Sequence, residues 1–336
     1  IEAVNSEIAT ALKGANAADQ ETIDKLLIDL DGTADKSRLG GNALIATSMA
    51  AAHAAAAAHR VALWQYLKDT AGNPEAPLFL PLPEVQIFGG GVHAGGRVDV
   101  QDFMVIAIGA ESFAQALEWS AGVYGAAAQL MADAGRLGGV ADEGGLWPAF
   151  VRNEEALETL VRAIEKAGLV PGRDMAISLD LAASQFGAKG KYELARDGRK
   201  LDSDGLSGLL VDWIERYPIV AVEDPFAEGD KEAMIRFTWA VGKRVQVIGD
   251  DFLVTNPGRI RAAARAGACN AVLIKPNQAG TLTETRAALA ATRKAGMGAI
   301  VSARSGETED VTIVHLGVGW KIPQLKVGSL ARGERP

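Results

Sequence analysis

The sequence predicts an α/β barrel of mostly parallel strands, and three observations carry that expectation. First, six strand-like runs each end in a charged residue: 175–179 at Asp180, 218–222 at Glu223, 245–249 at Asp250, 271–274 at Lys275, 298–303 at Arg304 and 321–325 at Lys326. Second, the spacings between those ends are 43, 27, 25, 29 and 22 residues, and apart from the first each is about the length of one strand–helix unit. Repeated units of that kind build a parallel sheet with right-handed crossovers. Third, closing such a sheet gathers all six charges at its C-terminal rim, where barrels keep their chemistry. Three carboxylates, two lysines and an arginine at one rim make a site for a metal and an anion.

At 336 residues the chain can hold a full barrel and additional structure. Its net charge of −8, with no basic block, argues against a nucleic-acid surface. The single cysteine, Cys269, lies in an apolar stretch and reads as a core thiol. It suits a reducing compartment, so a cytoplasmic location is expected. The alanine-rich run 42–58 has few large apolar residues, carries His53, and is followed by His59 and Arg60. It reads as a tightly packed helix and not as a membrane span. No secretory signal pattern is visible. The chain opens at Ile1 already in a helical pattern, so further residues are expected upstream.

Residues 1–70 read as helices, with Ile8, Leu12, Leu26, Leu27 and Leu30 supplying apolar faces and Asp31-Gly32-Thr33 a turn. The proline-rich stretch 71–83 reads as a linker, which divides the chain into 1–76 and 77–336. Residues 85–88 form a short strand leading into the glycine-rich segment 89–96. Residues 89–94 fit the dinucleotide pattern G-x-G-x-x-A, but that motif needs a helix directly after it. Residues 97–109 instead suit a second strand, so the nucleotide reading is rejected. Helices are expected over 111–134 and 154–167, flanking a glycine-rich loop at 138–148 that holds Glu143. Asn256-Pro257 marks a helix start, and Thr281-Leu282-Thr283-Glu284 is a capping box.

Asp180, Glu223 and Asp250 offer hard oxygen ligands, which favour Mg2+. One such carboxylate would read as a helix cap; three in successive units read as a metal site. Lys275 follows an apolar run, so burial and neighbouring cations are expected to depress its pKa and make it a usable base. Arg304 and Ser305, between a strand and a helix start, suit a phosphate. Lys326 suits a second anionic group such as a carboxylate. Glu143, on a flexible loop, suits a general acid that comes to bear with substrate. His93 is loop-borne and placed to contact a phosphate or hydroxyl; His53, His59 and His315 read as structural. Together these groups describe the dehydration of a phosphorylated hydroxy acid. Lysine takes an acidified α-proton, an enediolate-like intermediate is stabilised, and an acid on the opposite face expels the β-hydroxyl.

At this point the chain resembles the enolase (phosphopyruvate hydratase) family. The matching segments are Val92-His93-Ala94-Gly95-Gly96, Asp142-Glu143-Gly144-Gly145, Val222-Glu223-Asp224-Pro225-Phe226 and Asp250-Asp251 with Val254-Thr255-Asn256-Pro257. Lys275-Pro276-Asn277-Gln278-Ala279-Gly280-Thr281-Leu282, Arg304-Ser305-Gly306-Glu307-Thr308-Glu309-Asp310 and the upstream Lys36-Ser37-Arg38-Leu39-Gly40 complete the match. The resemblance implies an enolase-type TIM barrel, ββαα(βα)6, preceded by a partial, mainly helical N-terminal capping domain. It implies Mg2+ on Asp180, Glu223 and Asp250, Lys275 as base and Glu143 as acid. It also implies Arg304 and Ser305 as phosphate ligands, Lys326 as a carboxylate ligand, His93 as a mobile-loop residue, and a homodimer or larger ring. Such sites pair a lysine or histidine base with one or two Mg2+ ions.

Three departures stand out. Ala303 sits where the family's motif has histidine, and Asp102 where the family usually has glutamate, at what the resemblance makes the leaving-group side. The residues at hand also begin after the family's N-terminal strands and the mobile loop whose serine completes its second metal site. The expected substrate is 2-phosphoglycerate. The alternatives are a paralogue acting on a related phosphonate or phosphinate, for example forming carboxyphosphonoenolpyruvate in antibiotic biosynthesis, and a non-catalytic binding protein of the same fold.

Overall fold

Near-continuous burial along eight short strands, covered on both faces, decides the architecture. A computed structural model describes residues 1–71, 77–147, 149–304 and 309–331. The strands are β1 (Leu82–Gly89), β2 (Asp102–Ile106), β3 (Ala176–Asp180), β4 (Gly187–Ala188), β5 (Lys191–Leu194), β6 (Arg199–Asp202), β7 (Ile219–Glu223), β8 (Gln246–Gly249), β9 (Ala271–Ile274), β10 (Gly298–Ser302) and β11 (Gln324–Lys326). Eight of them close into a barrel in the order β1-β11-β10-β9-β8-β7-β3-β2, while β4, β5 and β6 form a separate small sheet. Closure removes every edge of the barrel sheet.

The predicted parallel barrel is therefore observed, with one strand reversed. β2 runs antiparallel to both neighbours, β1 and β3, and every other barrel pair is parallel. The reversal follows from the short connection after β1, too short for a crossover helix. The glycine-rich segment there holds a single 3-10 turn, Gly91–Ala94, followed by β2, so the dinucleotide reading fails on structure as well. Among the described residues the element order is two strands, two helices, then strand–helix repeats that end on β11.

The long first spacing has a specific cause. The sheet β4-β5-β6 is inserted between β3 and the helix Ser203–Arg216. Its Tyr192 is buried, packs edge-on against Phe226, and donates a 2.9 Å hydrogen bond to Asp230. The proposed division near residue 76 falls among residues outside the description.

Strand side chains alternate between two environments. One set, including Val222, Val247, Val272 and Val301, faces the surrounding helices and belongs to the main core. The other points into the barrel, where Ala221, Ile248, Ala271, Leu273 and Ile300 form a small apolar plug. Each plug strand continues one residue pair further to a charged or polar group at the rim: Ala221 to Glu223, Ile248 to Asp250, Leu273 to Lys275.

Residues 1–71 contain helices and no strand among the described residues, as expected. Ile8, Ile23, Leu27, Leu39 and Leu44 form their own small core. Within the alanine run, Ala52, Ala55 and Ala56 are buried, and small side chains let the helix Gly41–Ala58 approach its neighbours closely. No helix is long and apolar enough to cross a membrane among the described residues.

This region docks by completing the N-terminus of a barrel helix, Leu282–Lys294. The first N–H groups of any helix lack intrahelical partners. Thr281 caps Glu284 N locally at 3.2 Å. Leu282 N donates to Ser48 Oγ at 2.9 Å, and Thr283 N donates to the buried Asp24 Oδ2 at 2.8 Å. Lys36 adds a 2.9 Å ion pair to Glu284. Asp24→Ala leaves a buried N–H unsatisfied, so it is expected to destabilise the fold by ~1–3 kcal/mol. Thermal or urea unfolding measures this, and an unchanged midpoint would show that the cap is not holding the two parts together.

Candidate active site at the barrel rim

The rim is built from strand ends. Asp180 and Glu223 are the last residues of β3 and β7 and sit opposite each other in the register. Asp250 and Lys275 follow β8 and β9 directly, and Lys326 ends β11. Because β2 is reversed, its first residue, Asp102, pairs with Gly89 and Asp180 and so joins the same rim. All six are buried.

Two ammonium groups hold these carboxylates together. Lys326 Nζ lies 2.7 Å from Asp180 Oδ2, 2.7 Å from Glu223 Oε2 and 3.4 Å from Asp102 Oδ2. Lys275 Nζ lies 2.5 Å from Asp250 Oδ2. Burial pushes the pKa of Lys326 down, but Asp180, Glu223 and Asp102 outweigh it and hold it well above the usual lysine range. Lys275 behaves alike: burial lowers it, yet Asp250 and Glu223 leave it raised. This corrects the expectation of a depressed lysine. The neighbours that dominate are anions from adjacent strands, which the linear sequence does not place.

The carboxylates divide. Burial would raise Asp250, but Lys275 overrides it and holds Asp250 below the usual range. Glu223 is pushed well above that range, by burial first and the Asp180 charge next. Burial lifts Asp102 to about 8, with Glu143 adding to the effect.

Around this centre runs a set of carboxamides that the sequence reading missed. Gln101 Nε2 donates to Asp180 Oδ2 at 2.9 Å, and Gln185 Nε2 donates to Gln101 Oε1 at 2.5 Å. Gln185 Oε1 then accepts from Val92 N at 3.1 Å, which ties Asp180 to the turn carrying His93. Gln278 Nε2 donates to Asp250 Oδ1 at 2.8 Å. Asp224 accepts from Asp250 N at 3.0 Å and Asp251 N at 2.7 Å, fixing the chain where Asp250 leaves its strand. The one available signal was adjacency, since Gln101 precedes Asp102 and Asp224 follows Glu223.

The other expected residues fall as follows. His93 is half-buried in the Gly91–Ala94 turn, with Nδ1 3.7 Å from Asp142 Oδ2. Arg304 is exposed just past β10, and its charge reaches Asp251 on the neighbouring rim loop. Ser305 lies outside the described residues. Glu143 is close enough to Asp102 to raise it, and Gln86 Nε2 lies 3.4 Å from Glu143 Oε2. In this arrangement its loop makes two backbone contacts: Ser329 N donates to Glu143 O at 2.9 Å, and Tyr124 Oη donates to Gly144 O at 3.0 Å. Its glycines allow close backbone approach here as much as freedom.

The residues suit a hard divalent cation. The donor set is all carboxylate oxygen, and Glu223 Oε1 is buried with no hydrogen-bond partner among the described residues. In this arrangement no three such groups meet closely enough to hold a metal ion among the described residues. The lysines lie between the carboxylates and partition them, Lys326 against Asp180 and Glu223, Lys275 against Asp250.

The closed barrel, whose reversed second strand adds an acid to a rim of carboxylates and lysines, has a buried, charged site at its C-terminal rim, the place where such folds carry out catalysis. The comparisons with known proteins agree. The family model for the enolase C-terminal TIM barrel domain matches residues 77–336, and that for the enolase N-terminal domain matches residues 1–67. The chain is 46% identical over 335 residues to Enolase 1 of Desulfitobacterium hafniense (strain Y51), covering 99% of this chain and 76% of that protein. The chain belongs to the enolase family.

Beneath the rim, Glu84 on β1 is buried in the barrel, and neither of its oxygens has a hydrogen-bond partner among the described residues. Burial lifts it to about 7, with Lys326 pulling it back. A raised acid favours its protonated form in the fold, so stability declines as pH rises from ~4.5 through about 7. Glu84→Gln is therefore expected to stabilise the protein by up to about 3 kcal/mol at pH 8 and by much less at pH 5. Unfolding at both pH values checks this; an equal effect at both would show that Glu84 is not a raised acid.

Proposed function

We propose that this chain catalyses the Mg2+-dependent dehydration of 2-phosphoglycerate to phosphoenolpyruvate. The observation that carries the reading is the convergence of Asp180, Glu223 and Asp250 with Lys275 at one buried rim. Asp180, Glu223 and Asp250 would hold Mg2+, which when bound neutralises the substrate carboxylate and so acidifies its α-hydrogen.

Lys275 is the base. In its neutral form it accepts the α-proton, having released its own proton to solvent once Asp250 and Glu223 no longer hold it as an ammonium ion. Glu143 is the general acid that protonates the departing β-hydroxyl, which leaves as water, and Asp102 stands beside it with its own proton retained by burial. Arg304 and Ser305 hold the phosphate, Lys326 the carboxylate, and His93 closes over the hydroxyl side. Residues 1–76 serve as the capping domain and 77–336 as the catalytic barrel. The working form is a homodimer or larger homo-oligomer in the cytoplasm, with no nucleic-acid or membrane partner.

Mg2+ is expected to raise the melting temperature, and Asp250→Ala to abolish that rise. A melting curve indifferent to Mg2+ would remove the metal from the reading.

A second reading rests on two residues. Ala303, half-buried before Arg304, presents a methyl group where the family's motif has histidine, and Asp102 replaces the usual glutamate. Both substitutions suit a related phosphonate or phosphinate substrate. The deciding assay is phosphoenolpyruvate formation from 2-phosphoglycerate by the full-length protein. Turnover is expected, with Ala303→His increasing it. Absence of turnover, or a decrease in the variant, would transfer the reading to the phosphonate class.

A further inference from the structure

Gln86 sits on β1 with its side chain inside the barrel, 1% exposed. Its carboxamide touches three groups. Oε1 accepts from Gly145 N at 2.8 Å. Nε2 donates to Asp102 Oδ1 and lies 3.4 Å from Glu143 Oε2. One amide therefore stands between the two acids of the leaving-group side and grips the loop that carries the second.

The surroundings are shaped to this side chain. A Cβ on Gly145 would fall 2.4 Å from Gln86 Oε1, and one on Gly89 would fall 3.3 Å from it. Neither glycine has a positive φ; close approach to the carboxamide is what requires Gly145, while at Gly89 a Cβ would first meet Ala141 Cβ at 2.6 Å. The loop's anchors from Ser329 and Tyr124 reach the backbone of Glu143 and Gly144. Glu143 Oε2 faces the Gln86 amide directly.

We infer that Gln86 is a positioning residue for the dehydration step: it sets the separation of Asp102 and Glu143 and holds both toward the leaving hydroxyl. The inference rests on the enolase-type reading of Asp102 and Glu143 above. A neutral donor suits the place. It lends a proton bond to each acid without adding charge between them, which a lysine or glutamate there would not do. The elevated proton affinity of Asp102 is consistent with two acids held close in a dry site.

Length is the testable property. Gln86→Asn withdraws the amide by one methylene, a displacement of ~1 Å, which costs a positioned group about 100-fold in rate. Q86N is expected to lower kcat for 2-phosphoglycerate by roughly 10- to 100-fold, with KM changed by less than about threefold because the anion-binding lysine and arginine are untouched. The double variant Q86N/D102E returns the lost methylene from the other side and is expected to recover at least about fivefold of kcat. Amide hydrogen exchange at Gly145 should speed up in both variants, since its acceptor retreats in each. Should Q86N not fold, Q86M keeps the length without donor or acceptor and carries the same comparison.

Wild-type kcat in Q86N, a loss confined to KM, or a double variant no better than Q86N would each overturn the inference. If the wild type shows no turnover of 2-phosphoglycerate, the functional reading fails, and Gly145 exchange alone decides the clamp: unchanged exchange sinks it, faster exchange sustains it.

Discussion

Three of the rim acids share one counter-ion, Lys326. One ammonium group, 5% exposed, meets carboxylates from three different strands, β2, β3 and β7. Such an arrangement is not a source of stability by itself, because desolvating buried charges costs about as much as their attraction returns. Its consequence is specificity of geometry. Lys326 lies on β11, the strand that pairs with both β1 and β10 and so closes the barrel. Closure and charge balance are the same event: without β11 in register, three buried acids would face one another uncompensated.

The remaining rim follows from that constraint. Lys275 and Asp250 form a second pair at the ends of the adjacent strands β9 and β8. Around the opening the lysine-bearing strands β11 and β9 lie on one side, while the acids of β8, β7, β3 and β2 follow in succession on the other. Anions surround both lysines, and both keep their protons more tightly than a free lysine does. A cation or an anionic substrate entering the rim therefore competes with existing partners. In this low-dielectric setting each such ion pair is stronger than the same pair at the surface. Beside them burial holds the Asp102 carboxyl up at about 8, and the neutral Gln86 amide donates to it.

Much of this was legible in the sequence because it depends on local pattern. Strand runs, the charges at their ends and the unit spacing are all near-neighbour properties. Asn256 and Thr281 cap their helices as the sequence indicates, each with its side-chain oxygen accepting from N–H groups in the following turn. The reversed β2 was partly legible, since a strand followed the glycine segment where a helix would have marked a nucleotide site. The β4–β6 insertion was not; only its length registered, because short strands without strong apolar alternation leave no clear period.

The sequence by itself determined the class of fold, the identity of the ionisable residues at the rim and their kinship with the enolase family, because each rests on order along the chain. Tertiary structure alone decided what those residues experience. It set Lys275 among carboxylates that raise its pKa instead of lowering it, turned Asp102 to the rim by reversing its strand, and placed Gln86 between two acids 16 and 57 residues away. The physical reason is that electrostatic and hydrogen-bond energies depend on distance through space, and barrel closure joins residues whose separation along the chain carries no hint of contact.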